Sequence, residues 1–197
     1  MLGPEVSERD RRDVESNRTC YQPERLDVKF KIVLLGEGGV GKSALVQNAL
    51  HRPFNDGYDP TIMDSHQAEV SIRGQSCTLD IVDLSSQHDI MTNFESDIYH
   101  AAGVIYVYSI TDARSFQKIS VLSEKIRKSS MALLGSTLVA NKLDLEKSRQ
   151  VPRKDGEEMA SQIGAVFEEM SAKEGNSMPG VLSALTESML SEKEKAA

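Results

Sequence analysis

The densest chemistry in this 197-residue chain lies in Gly36-Glu37-Gly38-Gly39-Val40-Gly41-Lys42-Ser43, which has the spacing G-x-x-x-x-G-K-S. Glycines at those intervals let consecutive backbone N–H groups curl inward as a nest for phosphate oxygens. A helix opening near Lys42 adds the positive end of its dipole. Lys42 is placed to reach β- and γ-phosphates, and Ser43 to ligate Mg²⁺. With Ala44 beside them in the first helical turn, Gly38 to Ser43 form the expected phosphate-binding set. These residues imply a nucleoside triphosphate but not its base.

The base is addressed further along. Asn141-Lys142-Leu143-Asp144 directly follows an apolar run. A carboxylate at that point can accept two N–H bonds from a guanine edge, at N1 and the 2-amino group. Adenine lacks that donor pair and would leave the carboxylate unpaired, which costs affinity. Ser171-Ala172-Lys173 follows another short run and can present a backbone N–H to the guanine carbonyl. Each tetrapeptide or tripeptide is weak alone; in this order, after this phosphate loop, they reinforce one another.

These loops need a scaffold. Val28 to Leu35 begins alternating and turns continuously apolar, the pattern of a buried strand in a mostly parallel sheet. A helix is predicted from about Lys42 to His51. Val70 and Ile72, then Cys77, Leu79 and Ile81, alternate around Arg73-Gly74-Gln75, which predicts a hairpin and an antiparallel edge. Gly103–Tyr108 and Thr137–Ala140 read as strands, with Val166 and Phe167 on a short one. Ala113–Lys128, Pro152–Gly164 and Pro179–Leu190 read as helices. This alternation predicts an α/β fold: a doubly wound, mostly parallel, six-stranded sheet with one antiparallel edge strand and helices on both faces. Ligands of such sheets bind beyond the carboxyl ends of the strands.

With these motifs in this order, the chain resembles the Ras-like small GTPases of the Ras branch, over about Val28 to Leu190. Tyr58-Asp59-Pro60-Thr61-Ile62 and the pair Asp83 and Gln87 complete the pattern. The resemblance implies that Phe54 packs against the guanine and that Tyr58 closes over the nucleotide. It implies that Thr61 ligates Mg²⁺ through its hydroxyl and meets the γ-phosphate with its N–H. Asp83 then holds Mg²⁺ through a water, and Gln87 orients the attacking water while Lys42 stabilises the developing charge. The implied cofactor is Mg²⁺, with GTP or GDP as ligand. The implied partners are effector proteins contacting Tyr58–Ser65 and the segment after Asp83, an exchange factor and a GTPase-activating protein. No arginine stands in the phosphate loop or between Asp83 and Tyr99, so slow intrinsic turnover is expected, with an arginine supplied by a partner.

The chain departs from the family at Leu84-Ser85-Ser86-Gln87, where the pattern is D-x-x-G-Q and Ser86 takes the glycine's place. Serine keeps the N–H that meets the γ-phosphate but restricts positive φ. Two readings stand: a slow GTPase switch, or a GTP-dependent binding module with little or no hydrolysis. Met63 and His66 stand where the branch more often has an acid and a tyrosine, which bears on effector choice. An ATP-using kinase or ATPase is disfavoured by Asn141–Asp144.

Composition narrows the rest. Lys+Arg 23 against Asp+Glu 30 gives a net charge of −7, unlike a nucleic-acid-binding surface. No apolar run reaches the roughly 18 residues of a spanning helix. Two cysteines, Cys20 and Cys77, make neither a disulfide framework nor a four-ligand zinc site, and a reducing, cytoplasmic setting is expected. Residues 1–27, with seven acids and five arginines, are expected to be a disordered arm, residues 28–190 the GTPase domain and 191–197 a polar tail. No prenylation box or polybasic cluster is visible, so peripheral membrane attachment is expected only if the natural end has been trimmed.

Overall fold

Val28–Leu35 forms β1, and its burial shows why the run turns from alternating to apolar: Lys29 is exposed, whereas Ile32 to Leu35 are all buried. A strand covered on both faces must be apolar at every position. The structure, a computed structural model, describes residues 28–54, 63–84, 98–129, 133–175 and 177–196. Residues 1–27, expected to be a disordered arm, lie outside them.

In chain order the elements are β1, α1 (Lys42–Ala49), β2 (Met63–Ile72), β3 (Gln75–Leu84), β4 (Ala101–Ser109), α2 (Ala113–Lys128), β5 (Gly135–Asn141), a 3₁₀ segment (Leu143–Ser148), α3 (Arg153–Ile163), β6 (Val166–Glu169) and α4 (Met178–Ala196). The six strands form one sheet in the order β2-β3-β1-β4-β5-β6. β1 pairs in parallel with β3 and β4, β4 with β5, and β5 with β6. Among the described strands only β2 runs antiparallel, at the edge, with Val70 opposite Cys77. The expected architecture therefore stands, antiparallel edge included. The hairpin turn is the two residues Arg73 and Gly74, with φ of 51° and 80°. Positive φ at both positions matches the twist of the flanking strands.

Alternation sorts the core into two halves. Ile32, Leu34, Ile105 and Val107 face α1 and α4, packing on Leu45, Leu182 and Leu185. Val33, Leu35, Val104 and Tyr106 face α2 and α3, packing on Ile119, Leu122 and Ala160. Each such side chain contributes about 1.5–3 kcal/mol on burial, so helices on both faces are required to cover a sheet this apolar. α2 keeps its expected bounds because local signals fix both ends. Asp112 accepts from the Arg114 N–H at 3.0 Å, and Lys125, Arg127 and Lys128 complement the carboxyl end of the dipole. α3 ends at Gly164 in the left-handed region, with Ala165 N–H bonded to Ala160 O at 2.9 Å.

α4 is longer than the sequence suggested. The expected polar tail after Leu190 continues the helix to Ala196. Arg73 of the hairpin reaches Glu187, Ser191 and Glu194 along one side of it, and Lys193 lies 5.6 Å from the centroid of the Phe30 ring.

One buried polar atom in the second core half has no hydrogen-bond partner among the described residues, the Tyr108 hydroxyl. Gly156 brings α3 so close that a Cβ there would meet that hydroxyl at 2.5 Å. An unpaired buried hydroxyl carries a desolvation cost of about 1–3 kcal/mol. Tyr108→Phe is therefore expected to raise the melting temperature by a few degrees. A lower melting temperature would show that the hydroxyl is satisfied in solution.

Candidate functional site

Five parallel strands point their carboxyl ends to the same edge, so loops far apart in sequence meet there. The first follows β1. Gly36 passes so close to β4 that any Cβ would overlap the Val107 carbonyl, which leaves no choice of residue. Gly41 closes the loop at φ 98° and ψ 27° as the N-cap of α1, and a Cβ there would overlap the Asn141 amide. α1 has neither a side-chain cap nor an acid in its first turn. Its leading N–H groups and dipole thus face outward from the loop toward any anion seated in it.

Lys42 opens α1 at 7% exposure. Its Nζ donates to the carbonyls of Gly36 and Glu37, 3.0 Å each, which folds the side chain back over the loop. Burial pushes its pKa below the ordinary lysine value, while the Asp83 and Glu37 carboxylates act in the other direction. Beside it, the Ser43 hydroxyl donates to Asp83 Oδ2. Asp83, near the end of β3, is 1% exposed, and its Oδ1 has no hydrogen-bond partner among the described residues. A hydroxyl and a buried carboxylate with an unsatisfied oxygen suit a hard cation such as Mg²⁺. No cluster of three or more His, Cys, Asp or Glu able to hold a metal occurs among the described residues. A magnesium ion here would therefore need phosphate oxygens or water to complete its shell, as Mg²⁺ commonly does.

The loops expected to read the base follow β5 and β6. Asn141, 1% exposed, donates from Nδ2 to the Val40 carbonyl at 2.8 Å, and its Oδ1 accepts from the Ala172 N–H at 3.0 Å. One buried side chain thus joins the phosphate loop to Ser171–Lys173. Lys142 sits at φ 70°, a conformation that costs a non-glycine residue about 1–2 kcal/mol. It begins the 3₁₀ segment carrying Asp144. Ser171 donates to Asp144 Oδ1 at 2.6 Å and accepts from the N–H groups of Lys173 and Glu174, 3.1 Å each. The carboxylate is therefore aimed by a serine that the next loop holds. Lys173 Nζ stands 5.9 Å from the centroid of the Phe54 ring, and Phe54 is 39% exposed. An aromatic face and a lysine stem can flank a flat base there.

The structure thus brings together Gly38 to Ala44, Asp83, Phe54, Asn141 to Asp144 and Ser171 to Lys173 at one sheet edge. Tyr58, Thr61, Ser86 and Gln87 lie outside the described residues. Met63 to Ser65, the end of the expected effector segment, begin β2 and pair with Leu84 to Val82. Sequence reasoning missed Asn48. It is 6% exposed on α1, donates to the Gly175 carbonyl at 2.5 Å and accepts from the Met178 N–H at 3.3 Å. An asparagine amid Ala44, Leu45, Val46 and Ala49 was the available signal.

Residues 31–191 match a family model described as the Ras family. The chain is 38% identical over 147 residues to Ras-like protein 2 of Mucor circinelloides f. lusitanicus, covering 74% of each chain. It is 39% identical over 146 residues to Ras-like protein rasS of Dictyostelium discoideum, covering 74% of this chain and 75% of that protein. It is also 39% identical over 147 residues to Ras-like protein 1 of Saccharomyces cerevisiae, of which the match spans 48%.

Proposed function

The chain belongs to the Ras family of small GTPases, nucleotide-binding switches, and on that premise we propose that it binds GTP and GDP with Mg²⁺ and hydrolyses GTP slowly. The observation that carries this reading is the Asn141 bridge, because it ties the loop after β1 to Ser171–Lys173 at one sheet edge, where a phosphate loop and a base loop must meet to hold one nucleotide. The loop N–H groups and Lys42 bind the β- and γ-phosphates. Asp144 accepts from N1–H and the 2-amino group of guanine, the Ala172 segment faces the base carbonyl, and Phe54 and Lys173 flank the ring. Ser43, Asp83 and Thr61 hold the metal, which neutralises charge on the phosphate oxygens when bound. Gln87 orients the attacking water and Tyr58 covers the nucleotide. Effectors contact Tyr58–Ser65 and the segment after Asp83, with an exchange factor and an activating protein setting the two nucleotide states.

Base choice is tested by competition against bound fluorescent GDP. GTP is expected to displace it at a concentration about 10⁴-fold lower than ATP, the scale on which a site built for a donor pair rejects its absence. Comparable displacement by ATP would overturn the guanine reading. Hydrolysis is tested by single-turnover phosphate release from protein loaded with GTP and Mg²⁺, with Ser86→Gly alongside. Slow release from the native chain makes it a switch enzyme that accommodates Ser86. Intact GTP in the native chain, with release from Ser86→Gly, makes it a GTP-gated binding module, the second reading that Ser86 favours.

A further inference from the structure

Arg149 immediately follows the 3₁₀ segment that carries Asp144. Its guanidinium meets two carboxylates. Nε lies 2.9 and 3.0 Å from the oxygens of Glu146, and Nη2 lies 2.6 Å from Glu146 Oε2. Nη1 donates to Glu169 Oε1 at 2.8 Å and to the Val151 carbonyl at 3.0 Å. Glu146 is two residues after Asp144, and Glu169 is two residues before Ser171. Arg149 is therefore a second tie between the same two loops that the Ser171–Asp144 hydrogen bond joins at 2.6 Å.

Burial separates this contact from an ordinary surface pair. Exposed ion pairs contribute little, but the Arg149 side chain is only 16% exposed and that of Glu169 only 6%. The planar fork also fixes direction in a way a lysine ammonium does not. Glu169 has a second cation, Arg153, at 3.2 Å, with a 64% exposed side chain. Arg153 neutralises Glu169 but pairs otherwise with Glu157 at 2.8 Å. Charge balance at Glu169 thus does not need Arg149; the span to Glu146 and Val151 does.

We propose that Arg149 is a positioning residue for base recognition: by bridging Glu146 and Glu169 it holds the Asp144 and Ser171 loops in register, so that Asp144 keeps the aim needed to accept both guanine N–H groups. This deepens the guanine reading above and rests on it. Asp144 engages guanine through two donors, whereas hypoxanthine offers only N1–H. A carboxylate that loses its aim therefore loses more on guanine than on hypoxanthine.

The test is dissociation of GDP and of IDP from the full chain with Mg²⁺. Arg149→Lys keeps the charge and loses the fork. It is expected to speed GDP release about tenfold, the scale of one well-placed hydrogen bond, and IDP release at most about threefold. Arg153→Ala, which removes the other partner of Glu169, is expected to leave the GDP-to-IDP ratio unchanged. Glu146→Ala breaks the fork from its exposed end and is expected to act like Arg149→Lys, which keeps the test open if the arginine variant folds poorly. Equal acceleration of both nucleotides, or no change in either variant, overturns the assignment. A native chain that releases GDP and IDP at the same rate overturns the base reading and this assignment with it, an outcome distinct from failure of the variants alone.

Discussion

Replacing Lys42 with alanine is expected to lower affinity for GTP by two to three orders of magnitude. The ammonium is almost fully buried and pinned by the Gly36 and Glu37 carbonyls, so it enters the loop already oriented. Hydrogen bonds to charged groups contribute about 1.5–3 kcal/mol each. Two such bonds, to a β- and a γ-oxygen, amount to about 3–6 kcal/mol. With three N–H groups the ammonium gives up one of the two carbonyls to make them, at about 1 kcal/mol. That leaves about 2–5 kcal/mol, centred on 10²- to 10³-fold in affinity. Titration with a fluorescent GTP analogue measures this directly. A melting curve without nucleotide separates it from unfolding, since the two carbonyls freed by the change lie in a half-exposed loop. Affinity within a few-fold of the native value would mean that Lys42 does not reach the phosphates.

Asn141→Ala should have the largest effect on the fold. The substitution leaves the Val40 carbonyl and the Ala172 N–H without their partner, in a place where Asn141 itself is 1% exposed. Each buried group left unpaired costs about 1–3 kcal/mol. The sum, about 2–6 kcal/mol, is a large share of the 5–15 kcal/mol that holds a typical domain together. For a domain of this size the melting temperature is expected to fall by about 4–24 °C. Nucleotide affinity should fall as well, because the phosphate and base loops lose their common anchor. A melting temperature unchanged within 2–3 °C would show that water replaces the amide at both contacts.

How much of this was legible in the sequence depended on how local the cause was. The phosphate loop was readable because its glycines, Lys42 and Ser43 lie within eight residues and the strand before it is apolar throughout. β1 and α2 were read with their observed bounds, since burial period and a cap define them from within. β2 was read only around Val70 and Ile72. Its first half, Met63 to Gln67, is largely polar, because an edge strand with an exposed face needs no apolar pattern. The end of α4 is not legible locally, because the contacts along it come from Arg73 and Phe30, more than a hundred residues earlier. The base motif showed Asn141 and Asp144 but not what aims them. The partners of Arg149 straddle a helix and a strand, and no spacing rule foretells that Glu169 lies beside it.

The two ends of the site differ in how firmly the sheet holds them. The phosphate loop grows from β1, flanked by β3 and β4 and buried along its final four residues. The Ser171–Lys173 loop grows from β6, a four-residue strand that has only β5 beside it among the described strands, with Val166 56% exposed. Local unfolding spends its lowest free energies on such margins. With the Ser171–Lys173 loop holding the base as proposed, fraying of β6 is expected to loosen the base while the phosphates stay seated. In kinetic terms, release of the proposed nucleotide is then expected to begin at the base, and whatever braces or pries the β6 margin is expected to change its rate.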